Sequence, residues 1–196
     1  MKIISAGLPR SGSTLVMQML KILYSDFPLQ KVHGYIEPKE GQIRICTYRH
    51  PFAAAVSNAR IYNDLSDEHL KNSAIYIRKM AKAVDLYTED GVTLMLRYED
   101  FYLNRKLIVS SLVERYGTKF SDMLVEKALE YSSIERNLER QRVYSDFAHW
   151  DSETHIHGGH ISEYKGDPTS WRNYVSSSQI QILVSILNPV RLRWGY

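Results

Sequence analysis

Eight consecutive residues, Gly7-Leu8-Pro9-Arg10-Ser11-Gly12-Ser13-Thr14, carry the clearest chemistry in the sequence. Two glycines ahead of a pair of hydroxyl residues have the frame of a phosphate-binding loop. Glycine lets the backbone N–H groups turn inward, and a following helix presents its unpaired N–H groups and positive dipole end to an anion. The lysine that would reach the terminal phosphates of ATP or GTP is replaced by Ser13, and no aspartate stands out as a magnesium partner. Arg10 puts a cation inside the loop instead. The competing reading is a glycine-rich strand-to-helix turn without a ligand, since one short motif is weak evidence.

Further along the chain, three more segments bear on this choice. Pro9-Arg10-Ser11-Gly12-Ser13-Thr14 resembles the P-[KR]-S-G-[ST]-[ST] loop that binds the 5′-phosphosulfate in sulfotransferases dependent on 3′-phosphoadenosine 5′-phosphosulfate. Arg49-His50-Pro51 with Ser57 is similar to the family element whose Arg and Ser bind the 3′-phosphate, and Arg is the side chain suited to forked recognition of a phosphate. Leu96-Arg97-Tyr98-Glu99-Asp100-Phe101 resembles the Y-E-D segment, which implies Tyr98 near the adenine. Lys165-Gly166-Asp167-Pro168-Thr169-Ser170-Trp171-Arg172-Asn173 resembles the late K-G-x-x-G-x-W-[KR]-N segment, which implies Lys165 and the Gly166 backbone closing over the 3′-phosphate. The chain departs from the family pattern at Tyr164, where an additional Arg is common, and at Thr169, where the second glycine falls.

Lys31-Val32-His33 resembles the family's K-x-H segment, which implies His33 as the base and Lys31 as a contact of the transferring group. Its alternative is a pair of ordinary surface residues, and Glu37 and Glu40 are rival bases. In the implied reaction Arg10, Lys31 and the loop N–H groups stabilise developing charge, while Ser13 and Thr14 hydrogen-bond the 5′-phosphate. A histidine with its usual pKa near 6.5 is available as a base at neutral pH. No metal is required. The activity implied is transfer of a sulfuryl group to a hydroxyl or amine of a small-molecule or glycan acceptor. Its alternatives are a P-loop nucleotide kinase and a non-catalytic nucleotide-binding module.

These residues need a scaffold that alternates strands with helices. Lys2–Ala6, Gln42–Tyr48 and Val92–Leu96 read as buried strands, and Phe27–Gln30 as a short extended run. Helices are expected at about 13–23, 52–62, 68–88, 104–116, 121–131 and 176–187. This order gives an α/β fold, a single domain over 1–196 with a central, mostly parallel sheet of four or five strands between helices. Cofactor and acceptor would meet at the carboxyl ends of its strands. Residues 144–173 form a long polar segment of the kind that usually covers a site. Within it His155, Ile156, His157, Gly158, Gly159 and His160 could be read as a metal tract, but no Cys or paired carboxylate accompanies them. A lid is the better reading, with Trp150, His155, His157 and His160 as candidate acceptor contacts. The charge run Glu135–Arg142 reads as a solvated helix face.

Composition fits this picture: 44% hydrophobic and 24% charged residues exclude disordered, collagen-like and coiled-coil classes. A net charge of +3 is too mild to imply nucleic acid. The single Cys46 sits in an apolar run, which favours a reducing compartment. Without a membrane-length apolar stretch or a signal peptide pattern, the expectation is a soluble cytoplasmic protein.

Overall fold

A computed structural model describes residues 1–196. Four parallel strands, β1 (Lys2–Gly7), β2 (Leu29–Val32), β3 (Gln42–Tyr48) and β4 (Leu94–Arg97), form one sheet in the order β2-β1-β3-β4. The reversal of direction lies at β1, so the crevice at its carboxyl end, between the connections leaving β1 and β3, is the natural ligand position. Alternation along the strands supplies two apolar layers. Ile3, Ile43, Ile45 and Leu96 face α1 (Ser13–Leu23), α5 (Lys106–Tyr116) and α6 (Asp122–Tyr131). Ala6 and Cys46 face α2 (Pro51–Arg60), α3 (Asp67–Glu89) and α8 (Ser177–Arg193). The fold is therefore α/β with helices on both faces, and no helix is long and apolar enough to cross a membrane.

Several boundaries move for local reasons. The third expected strand starts at Leu94 and not at Val92, because the Asp90 carboxylate accepts from the N–H groups of Val92 and Thr93 and holds them in a turn. The extended run expected at Phe27–Gln30 is displaced to Leu29–Val32 and pairs with β1, which brings Lys31 into the strand itself. The expected helix at 176–187 continues to Arg193 through Pro189. The charged run forms α7 (Ile134–Gln141), but one of its residues is not solvated: Asn137 is buried and exchanges hydrogen bonds with Gln18 of α1. Residues 144–173, read from the sequence as a long covering segment, are packed onto the domain. Thr154 and Ile156 are buried, Trp150 bridges His157, and a 3₁₀ turn at Ser170–Tyr174 buries Trp171 against Phe52 and His50.

Candidate functional site

The loop after β1 is shaped by two residues in the left-handed region, Arg10 at φ 68° and Gly12 at φ 78°. A Cβ on Gly12 would stand 2.7 Å from the Tyr98 ring, so both the backbone angle and the space require glycine there. The turn leaves the N–H groups of Gly12, Ser13 and Thr14 without an internal acceptor, at the start of α1 where a positive dipole end adds to them. Pro9 and Ser13 are buried within the loop. Ser11 is buried: its N–H donates to the Leu8 carbonyl, and its hydroxyl is shared between Leu8 and Thr47. Its polar atoms fasten the loop to β3, and it is not among the residues that line the neighbouring cleft.

Beside the loop lies a cleft with about 940 Å³ of empty space, its open mouth included. Arg10, Gly12, Thr14, Arg49, Ser57, Tyr98, Lys165 and Gly166 all line it, although up to 156 residues separate them in sequence. Arg49, at the end of β3, donates through Nη1 to the Arg10 carbonyl at 3.0 Å and lies 4.4 Å over the Tyr98 ring. Its side chain is buried, and its Nε has no partner. Arg10 donates through Nε to Ser57 Oγ at 3.1 Å and through Nη2 to the His160 carbonyl at 2.7 Å. Burial, then Arg60 and Arg49, push its guanidinium down to about 9. No carboxylate is within ion-pair distance of Arg10, Arg49, Arg60, Lys31 or Lys165. Cations that are buried or half-buried, as Arg10, Lys31, Arg49 and Arg60 are, and that lack acidic partners suit an anion from outside.

Tyr98 joins two of the motifs. Its hydroxyl donates to the Gly166 carbonyl at 2.6 Å, and burial pushes its pKa up to about 12, so it stays a donor. Gly166, at φ 86°, could not carry a Cβ, which would fall 2.7 Å from the Tyr98 hydroxyl. Lys165 is exposed at the rim. Asp167 also lines the cleft, but its carboxylate accepts from the N–H and hydroxyl of Thr169, which accounts for the residue at the second glycine position. Tyr164 packs on Tyr174 outside the cleft lining.

Lys31 and His33 lie on the β2 side of the loop and do not line the cleft. Lys31 Nζ donates to Thr14 Oγ1 at 2.7 Å, and burial together with Arg10 pushes it down to about 8. His33 Nδ1 is 2.8 Å from the Gly7 carbonyl. A carbonyl only accepts, so the proton sits on Nδ1 and the lone pair on Nε2. Burial, with Lys31 and Arg10, holds His33 below its ordinary value against the opposing pull of Gly7. Neither rival base lines the cleft. Glu40 precedes Gly41, whose carbonyl binds the first residue of β1 at the amino end of the sheet, and Glu37 is exposed with its carbonyl bound to Arg44. Among the histidines of the 155–160 tract only His160 lines the cleft. His157 stacks on Phe147, and Trp150 is half exposed beside His155 and His157. No group of three His, Cys, Asp or Glu side chains is placed to hold a metal ion.

Sequence reasoning passed over Arg60, Tyr102 and Asn137, which also line the cleft. For Arg60 a signal existed: Ala53, Val56, Ser57 and Arg60 fall on one face of α2 at three-and-four spacing, and all four line the cleft. Compared with known proteins, the chain matches no family model and no curated protein.

Proposed function

We propose that the chain is a sulfotransferase, moving a sulfuryl group from 3′-phosphoadenosine 5′-phosphosulfate to a hydroxyl or amine of a small-molecule or glycan acceptor. One observation carries the reading: motifs that lie far apart in sequence converge on a single cleft whose cations have no acidic partners. The buried, unpartnered Nε of Arg49 and the free N–H groups of Gly12, Ser13 and Thr14 are donors of the kind that two phosphate groups need.

The nucleotide donor, when bound, supplies an electrophilic sulfur and a phosphate leaving group. Arg49, Ser57 and Lys165 hold the 3′-phosphate. The N–H groups of Gly12, Ser13 and Thr14, with Arg10, fix the 5′-phosphate and take up the charge it gains as the sulfur–oxygen bond breaks. Lys31, anchored on Thr14, adds positive potential next to the loop. His33 Nε2 takes the proton that the acceptor loses as its oxygen or nitrogen bonds to sulfur. Tyr98 holds the Gly166 segment closed over the site.

The position of Lys31 and His33 outside the cleft lining favours a second reading, a nucleotide-binding module without transfer activity. Two measurements decide. Calorimetric titration with adenosine 3′,5′-bisphosphate beside ATP and magnesium should show a preference for the bisphosphate, and a preference for ATP overturns the sulfotransferase reading in favour of a kinase. Transfer of labelled sulfate from the donor to a panel of phenols, amines and sugars then separates enzyme from binding module.

A further inference from the structure

Arg60 lies one turn beyond Ser57 on α2, half-buried in the cleft wall. Its Nη2 donates to the Gly159 carbonyl at 3.2 Å, while Arg10 Nη2 donates to the carbonyl of the next residue, His160, at 2.7 Å. Two guanidinium groups thus converge on one turn with no carboxylate in ion-pair contact with either. Burial first, and then Arg60 and Arg49 by like charge, lower the Arg10 guanidinium. Glu163 is exposed and acts on Arg60 only through space.

The ring of His160 lines the cleft at the same place, stacked near Phe147 and His157. Its Nδ1 is buried and has no hydrogen-bond partner. Buried polar atoms are nearly always paired, so an orphan beside two cations that have no acidic partner indicates a missing partner. The charge count gives that partner its character. On the sulfotransferase reading, on which this inference rests, the two phosphates of the nucleotide engage Arg49, Ser57, Lys165, Arg10 and the loop N–H groups. Arg60 and His160 are left over.

We propose that Arg60 and His160 recognise an anionic group on the acceptor, which is therefore an acidic molecule bearing a carboxylate or sulfate in addition to the group that becomes sulfated. An anion at this point offsets the repulsion between Arg10 and Arg60, and a guanidinium presents the forked donors that a carboxylate or sulfate matches. A neutral acceptor leaves Arg60 with a backbone carbonyl alone.

The test uses a matched pair of probes, 4-hydroxyphenylacetate and the neutral 4-hydroxyphenethyl alcohol, titrated by calorimetry into protein saturated with adenosine 3′,5′-bisphosphate. The acid should bind about tenfold tighter or better, the scale of one charge-assisted hydrogen bond. Arg60→Gln should erase that preference, Arg60→Lys should restore part of it, and both variants should keep bisphosphate affinity within about twofold of the parent, because Arg60 is assigned no phosphate contact. Equal binding of the two probes, or binding of neither, overturns the proposal. So does a large loss of bisphosphate affinity in Arg60→Gln, which would assign Arg60 to the nucleotide. A parent protein that binds no bisphosphate sinks the sulfotransferase reading instead, and the same probe pair on the free protein still decides whether an anion site exists at Arg60.

Discussion

The Tyr98 hydroxyl donates to the Gly166 carbonyl across 2.6 Å and 68 residues of chain, while the Arg49 guanidinium lies 4.4 Å over the same ring. One side chain therefore fastens the Gly166 segment and supports the Arg49 guanidinium. Tyr98→Phe keeps the ring and removes only the hydroxyl. Stability should fall by about 0.5–1.5 kcal/mol in urea denaturation, and bisphosphate affinity by a similar free energy, roughly two- to tenfold. Full affinity in this variant would show that the Gly166 segment closes without Tyr98.

Arg49 should trade stability for binding. Its buried guanidinium has an unpartnered Nε and no carboxylate, so Arg49→Met should leave the unfolding midpoint unchanged or higher, as replacement of buried charges by apolar side chains often does. Bisphosphate binding should weaken by about 1.5–3 kcal/mol, the loss of a charged hydrogen bond. A variant that loses both stability and binding would mean that Arg49 holds the loop more than it holds phosphate.

Turnover should follow a bell-shaped pH profile. His33 is held below its ordinary value, so its base form prevails at neutral pH, and the acid limb should appear only below about pH 6.5. Lys31 is pushed down to about 8, so the alkaline limb should fall there as its charge is lost. His33→Ala should lower turnover by roughly 10²–10⁴ and abolish the acid limb while bisphosphate binding persists. Normal turnover in His33→Ala would remove it from the catalytic role.

Stability should decline between pH 7 and pH 5 through the histidines. Burial pushes His50 down to about 4 and lowers His33, His155, His157 and His160 as well. The unfolded chain takes up these protons first, so stability present at neutral pH is lost as pH falls below about 6.5. The buried carboxylates act only lower, because Asp90 and Asp151 are held below their ordinary value of 3.8. His50 Nδ1 accepts from the Phe52 N–H at the start of α2, an acceptor lost on protonation. His50→Asn retains a capping oxygen that does not titrate. The difference in urea midpoint between pH 7 and pH 5 should therefore shrink in His50→Asn, and an unchanged difference would place the titration elsewhere.

Strand and helix periodicity made the α/β order legible, because alternation in the strands and three-to-four spacing in helices such as α3 are local properties of the chain. The phosphate-loop frame was equally local: Gly12 is required by its own φ and by the start of a helix. Boundaries were less legible where a side chain competes for the backbone, as Asp90 does ahead of β4. The packing of the 144–173 segment was not legible, because its buried contacts, such as the Thr154 carbonyl on Gln18, are made with residues far away in sequence.

By itself the sequence determined the class of fold, the position of the glycine-rich loop and the residue types able to meet phosphate. Only tertiary structure decided which of them lie together. It turned Ser11 into the core, set Lys31 and His33 on the β2 side of the loop, and brought Arg60 to the same turn as Arg10. The reason is that backbone propensity and hydrophobic period depend on neighbours a few residues apart. Convergence of charges depends on how strands leave one sheet edge, and only packing of the complete chain fixes that.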